Sequence, residues 1–215
     1  MAEYVEFKEE HPKVLMFKIG RYSTSSIELI HLSIALGMIL ATLMVLNREY
    51  ISSVGIVEFL SIYLITIGSG FILHELAHKL MAQYYGYVSE FRGDFLMMIF
   101  ALLLAFTGIT FLAPGAVMIL ANRITKRQNG IISMAGPLTN FVLAIVFIII
   151  GLISTSSFFI NLAAVGVSVN GFLGMFNMLP IWVLDGKKVL EWNKPIYFSL
   201  LAALVCVFLF GGALF

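Results

Sequence analysis

Cysteine occurs once in this 215-residue chain, at Cys206, so no disulfide can form within it. Charge is also scarce. Asp, Glu, Lys and Arg make up 12% of the residues, about half the share of an ordinary soluble domain. Lys plus Arg number 13 against 12 for Asp plus Glu, so there is no basic excess of the kind nucleic-acid binding needs. The chain has no internal repeat and no low-complexity linker, which sets aside solenoids and flexible multidomain arrays. Residues 1–26 are mixed and charged and lack the apolar core of a secretory signal, so insertion is expected to use the first true span. Only four histidines are present: His11, His31, His74 and His78.

Apolar sequence is what abounds. Hydrophobic residues make up 60% of the chain, and they fall in runs long enough to cross a hydrocarbon core of about 30 Å. Full spans are expected at 27–46, 59–85, 131–153, 158–179 and 196–215. The stretch 95–112 is apolar but short. Residues 114–120 read as an extended segment, and Val14-Leu15-Met16-Phe17 as a short strand at the membrane surface. Gly86 is placed to stop the second span. The expected fold is an all-α polytopic membrane protein with about five full transmembrane helices, one re-entrant or partial apolar element and a short membrane-associated strand or sheet. A polar segment, 1–26, precedes a single transmembrane domain, 27–215.

Lysine and arginine placement predicts orientation. Lys8, Lys13, Lys18 and Arg21 precede the first span, which puts the N-terminus in the cytoplasm. Arg92, then Arg123, Lys126 and Arg127, then Lys187, Lys188 and Lys194 belong on that same side. A single crossing by 95–112 would break this parity, so the stretch is expected to return to the side it left. The C-terminus is then outside. The setting is an integral membrane protein, expected in the cell membrane. Tyr84, Tyr85, Tyr87, Trp182 and Trp192 are expected at the interfaces.

The densest chemical signal is His74-Glu75-Leu76-Ala77-His78, inside the second span. A helical spacing of four puts His74 and His78 on one face, one turn apart, where both imidazoles can hold one metal ion. Glu75 is placed to act as a general base on water at such an ion. Ionisable groups are costly in lipid, and zinc would offset that cost. A catalytic zinc takes three protein ligands. Glu58, 16 residues from His74, is about 24 Å away along the helix and cannot reach. Asp185 lies at a compatible depth, after Pro180, which breaks the helix before it. On its own, a plain helix end with a surface aspartate is an equal reading of that segment. Glu28 and His31, three apart, are expected to pair with each other or with interfacial water, or else to orient a zinc histidine. Ala163, Gly166, Asn170, Gly174 and Asn177 form one helix face of small and amide side chains, read mainly as a packing seam.

The HExxH motif at 74–78 and the N-x-x-P-x-x-x-x-D-G pattern from Asn177 to Gly186 together resemble the site-2 protease family of intramembrane zinc metalloproteases. Ala135-Gly136-Pro137-Leu138-Thr139-Asn140 and Pro114-Gly115-Ala116-Val117-Met118 are similar to two further elements of that family, in family order. The resemblance implies one zinc per chain held by His74, His78 and Asp185, with Glu75 as catalytic base and the site toward the cytoplasmic half. It implies that Asn140 and Asn177 position substrate or steady an oxyanion. It also implies a transmembrane protein as substrate, with no regulatory PDZ or CBS module. The extended segment carrying Gly115, Ala116 and Val117 could receive an unwound substrate as an added strand. Asp185-Gly186-Lys187 departs from the second glycine of many relatives. Two other functions fit parts of the sequence: a divalent-metal transporter or binding protein, and a prenyl-protein-type membrane zinc protease whose third ligand is a glutamate.

Overall fold

The computed structural model describes residues 3–4, 15–109, 114–121, 123–181 and 183–215. Lys8, His11, Lys13, Val14, Trp182 and the end of the 95–112 stretch lie outside the described residues. The described chain runs β1 (Glu3–Tyr4), β2 (Leu15–Ile19), β3 (Tyr22–Ser25), α1 (Ser26–Leu46), α2 (Arg48–Val54), α3 (Ile56–Tyr84), β4 (Val88–Gly93) and α4 (Phe95–Ala105). It continues with β5 (Gly115–Leu120), α5 (Lys126–Ile153), α6 (Ser157–Asn177), α7 (Asp185–Trp192), α8 (Lys194–Phe210) and a 3-10 turn, Gly211–Leu214.

Among the described residues, four helices, α1, α3, α5 and α6, are long and apolar enough to cross a membrane. Helix α8, with 17 residues, is about 26 Å long and sits at the lower end of the spanning range. The chain is therefore a polytopic helical membrane protein with only small sheets, as expected.

Two compact units are present, and α3 contributes to both. The first comprises Met1–Asn47 and Lys79–Asn122. Ser25 starts α1 by accepting the Glu28 N–H at its hydroxyl, which satisfies one of the orphan donors at the helix start. α3 ends at Gly86, whose φ of +84° no side-chain-bearing residue adopts cheaply. The Gly86 N–H reaches the Gln83 carbonyl and the Tyr87 N–H the Ala82 carbonyl, the paired bonds of a Schellman stop. β2 pairs antiparallel with both β1 and β3, so the surface strand expected at 14–17 is the centre of a three-stranded sheet and extends to Ile19.

β4 and β5 form an antiparallel pair with Gly93 opposite Gly115. The Asp94 N–H also donates to the Pro114 carbonyl at 2.9 Å. The apolar excursion between them thus begins and ends at adjacent points. Its helix α4, of 11 residues, is about 16 Å long, half a hydrocarbon core. That length suits the partial insertion expected of this stretch.

The second unit comprises Arg48–His78 and Arg123–Phe215. α5 begins with a capping box between Thr125 and Gln128, which carries the helix one turn ahead of the apolar run that announces it. Small residues let its helices approach. A Cβ at Gly166 would lie 2.4 Å from the Phe147 ring, and one at Gly174 would lie 2.5 Å from Leu204, so the α6 face is the packing seam its composition suggests. Met178, Val189, Tyr197, Leu200 and Leu204 form a buried cluster, with Trp192 packed against it. Trp192 is partly buried against this cluster.

Candidate metal centre

The second unit brings His74 and His78 of α3 together with Asp185, the first residue of α7. All three are buried. The two Nε2 atoms are 3.0 Å apart. Asp185 Oδ2 lies 3.5 Å from His74 Nε2 and 3.0 Å from His78 Nε2. A tetrahedral zinc with bonds of about 2.0–2.1 Å spaces its ligand atoms roughly 3.3 Å apart. The triangle fits that requirement.

The tautomers follow from the partners. His78 Nδ1 is 2.7 Å from the Ile132 carbonyl, which can only accept, so this nitrogen carries the proton. Asn140 donates its two N–H groups to the Gly70 carbonyl at 3.1 Å and to Asn170 Oδ1 at 3.0 Å. Its remaining oxygen faces His74 Nδ1 at 2.5 Å and accepts that proton. Both Nε2 atoms are then bare lone pairs aimed at each other and at a carboxylate. Such a set of donors is satisfied by a cation at its centre, and two imidazoles with one carboxylate suit zinc.

The local chain explains the geometry. α6 ends at Asn177, and residues 178–181, 183 and 184 lie outside any helix, so the break expected at Pro180 falls within the connection that leads to Asp185 at the start of a new helix. Asp185 also has a flank: Lys188 Nζ lies 3.9 Å from its other oxygen, Oδ1. Pro137 lies inside α5. Lacking an N–H, it cannot donate to the Ser133 carbonyl one turn earlier.

Glu75 follows His74 on α3 and is half-buried. Asn177 sits at the last position of α6 and donates to the Leu173 carbonyl of its own helix at 3.0 Å. Gly115, Ala116 and Val117 lie on β5, in the other unit. Glu28 and His31 do not pair with each other. Glu28 binds Lys79 and the Phe91 N–H, and His31 accepts the Gly93 N–H at 3.1 Å. Neither orients a candidate ligand, because the Nδ1 partners of His74 and His78 are Asn140 and Ile132.

Three contributors escape a reading of side-chain chemistry. The first is Gly136, where a Cβ would stand 2.3 Å from His78 Nε2 and 2.5 Å from His74 Nε2. The second is the Ile132 carbonyl. The third is Asn170, which accepts from Asn140 while donating to the Gly166 carbonyl at 2.9 Å. The signals were the Ala135–Asn140 element for the first and the amide on the α6 seam for the third. A backbone carbonyl leaves no sequence signal.

The model of peptidase family M50 matches residues 62–157, which include the HExxH turn and the helix bearing Gly136 and Asn140. A candidate zinc metalloprotease of Methanocaldococcus jannaschii is 50% identical over 139 residues, covering 63% of this chain and 72% of that protein. The candidate zinc metalloprotease Rip2 of Mycolicibacterium smegmatis is 40% identical over 97 residues, 42% of this chain and 36% of that one. No solved structure matches. With a buried two-histidine, one-aspartate triangle among apolar helices, and with half the residues shared with such a relative across most of its length, the chain belongs to peptidase family M50, the site-2 protease family of zinc metalloproteases.

Proposed function

We propose that this protein hydrolyses peptide bonds within or beside transmembrane segments of membrane-protein substrates, with His74, His78 and Asp185 as zinc ligands and Glu75 as general base. The observation that carries the proposal is the triangle of Nε2 and Oδ2 atoms at 3.0–3.5 Å, set on helices apolar enough to span a bilayer. An aspartate as third ligand also argues against the prenyl-protein type, which draws on a glutamate.

When bound, zinc supplies a Lewis-acid centre and makes water acidic enough to be deprotonated near neutral pH. Glu75 takes the proton of the attacking water and returns it to the leaving amine. Asn140 has both N–H groups committed, so we assign it to holding the His74 ring and not to an oxyanion. The chain of Asn140, Asn170 and the Gly70 carbonyl keeps the His74 Nε2 lone pair aimed at the centre. Asn177 lies just ahead of the connection that leads to Asp185, and we retain it as a substrate-positioning group. Lys187 and Lys188 follow Asp185 directly, and the positive-inside bias places this end of α7, and so the site, toward the cytoplasm together with the N-terminus. The test is cleavage by purified protein in lipid nanodiscs of a transmembrane peptide and of the same scissile sequence in a soluble peptide. The membrane-spanning peptide should be cut, activity should vanish with chelation and return with zinc, and preference for the soluble peptide would overturn the proposal.

A substrate helix hides its scissile bonds in its own ladder and must be unwound, which frees groups that need partners. The two-stranded sheet has the order β4-β5, so among the described residues the far edge of β5 has no strand beside it. We assign that edge to an extended stretch of substrate. Proline in place of Val117 or Met118 removes a donor from β5. It should impair cleavage more than zinc binding, as read from initial rates and zinc per chain; equal loss of both would count against the assignment.

A further inference from the structure

The last two turns of α3, directly after the HExxH motif, carry a buried polar cluster that neither the zinc site nor the membrane requires. Glu28, Lys79, Gln83 and Ser89 are each 4% exposed or less. Glu28 Oε2 accepts from the Lys79 ammonium and, at 2.7 Å, from the Thr24 hydroxyl. Its other oxygen accepts the Phe91 N–H of β4 at 3.0 Å. One turn on, the Gln83 amide accepts the Ser23 N–H at 3.0 Å and donates to the Ser23 carbonyl at 2.9 Å and the Ser89 carbonyl at 3.2 Å. The Ser89 hydroxyl donates to the Lys79 carbonyl at 3.2 Å.

A buried ion pair is seldom retained for stability, since an apolar pair of equal volume does as well. What it supplies is a fixed arrangement. Here one carboxylate ties three segments: the start of α1, the turn of α3 that follows His78, and the middle of β4. Phe91 is opposite Val117 in the β4–β5 register, so whatever holds β4 also holds β5. Every side-chain polar atom in the cluster has a partner, which suits a node that sets position and not one that binds a ligand.

We propose that Glu28 and Lys79 are substrate-positioning residues: their buried pair anchors the β4–β5 hairpin to helix α3 and thereby sets the strand that receives the substrate. The proposal rests on the assignment of β5 as the substrate strand. Neither residue touches the reacting atoms, so its signature is a rise in KM at nearly constant kcat.

The experiment is a double-mutant cycle with full-length protein in nanodiscs and a transmembrane peptide. Glu28→Gln strands a buried ammonium, and Lys79→Met strands a buried carboxylate. Each should raise KM about tenfold, with kcat within about threefold and zinc still at one per chain. The double variant keeps an acceptor for the Phe91 N–H and buries no charge, so its KM should return to within about threefold of wild type. If a single variant does not fold, Thr24→Val, which removes one donor and no charge, is read in its place with the same split. An unchanged KM in the single variants, or a double variant worse than both, overturns the proposal. Met118→Pro separates the two claims. A rise in KM for Met118→Pro alone leaves the substrate strand standing and removes the Glu28–Lys79 role. If Met118→Pro has no effect, hydrogen exchange at Phe91 decides: faster exchange in Lys79→Met sustains the anchoring of β4, and unaltered exchange overturns it.

Discussion

Glu75→Gln protein should retain one zinc per chain and lose hydrolysis by about 10³-fold or more. Glutamine matches glutamate in size and helix preference, so α3 should keep its course. The ligand triangle does not include Glu75, and the second nitrogens of His74 and His78 are held by Asn140 and Ile132. Metal affinity therefore has no reason to fall. What vanishes is a carboxylate next to His74 in the chain, able to accept a proton from water and give it to an amine. Metal analysis and turnover measured on the same preparation distinguish the cases. Undiminished hydrolysis would remove Glu75 from the mechanism, and loss of zinc in step with activity would make it a ligand instead.

Gly136→Ala should empty the site while leaving the fold intact. The added methyl would stand 2.3 Å and 2.5 Å from the two histidine Nε2 atoms, well inside the contact distance of about 3.5 Å between nonbonded heavy atoms. The backbone of α5 has little room to yield, because the Ile132 carbonyl and Asn140 side chain on either side of Gly136 both hold histidines. The imidazoles must swing away, and zinc affinity should drop by about 100-fold or more, beyond the loss expected from removing one supporting hydrogen bond. Elsewhere in a helix the same change stabilises by about 1 kcal/mol. Here an overpacking cost of about 1–3 kcal/mol offsets that gain, so the metal-free variant should melt near or below metal-free wild type, whereas zinc should no longer raise the variant's melting temperature. A variant that binds zinc normally would show that the ligand triangle tolerates a methyl at its centre.

The chain announced much of this through local pattern. A helical spacing of four brought His74 and His78 to one face regardless of the rest of the molecule. Gly86 could end α3 because its conformational freedom is a property of the residue. The apolar runs marked the long helices to within a few residues at most ends, and α5 gained its extra turn from a capping box rather than from hydropathy. Charge parity led to the expectation that 95–112 turns back, and Gly93 pairs with Gly115 at the two ends of that excursion. Other inferences failed where they depended on a distant neighbour. Glu28 and His31 are close in sequence and face each other on paper, yet each finds a partner more than fifty residues away. Asn140 likewise gives its two N–H groups to Gly70 and Asn170, 70 and 30 residues away.

The boundary between legible and illegible has a physical origin. Periodicity, chain stiffness and the cost of charge in hydrocarbon act over one or two helical turns, so spans, the two-histidine face and the family resemblance could be read from residue order alone. Whether Asp185 meets those imidazoles, how little room a Cβ at Gly136 would have, and which carbonyl sets each histidine tautomer depend on contacts between segments from 54 to over a hundred residues apart. Close packing of helices creates those contacts, and no local rule encodes them.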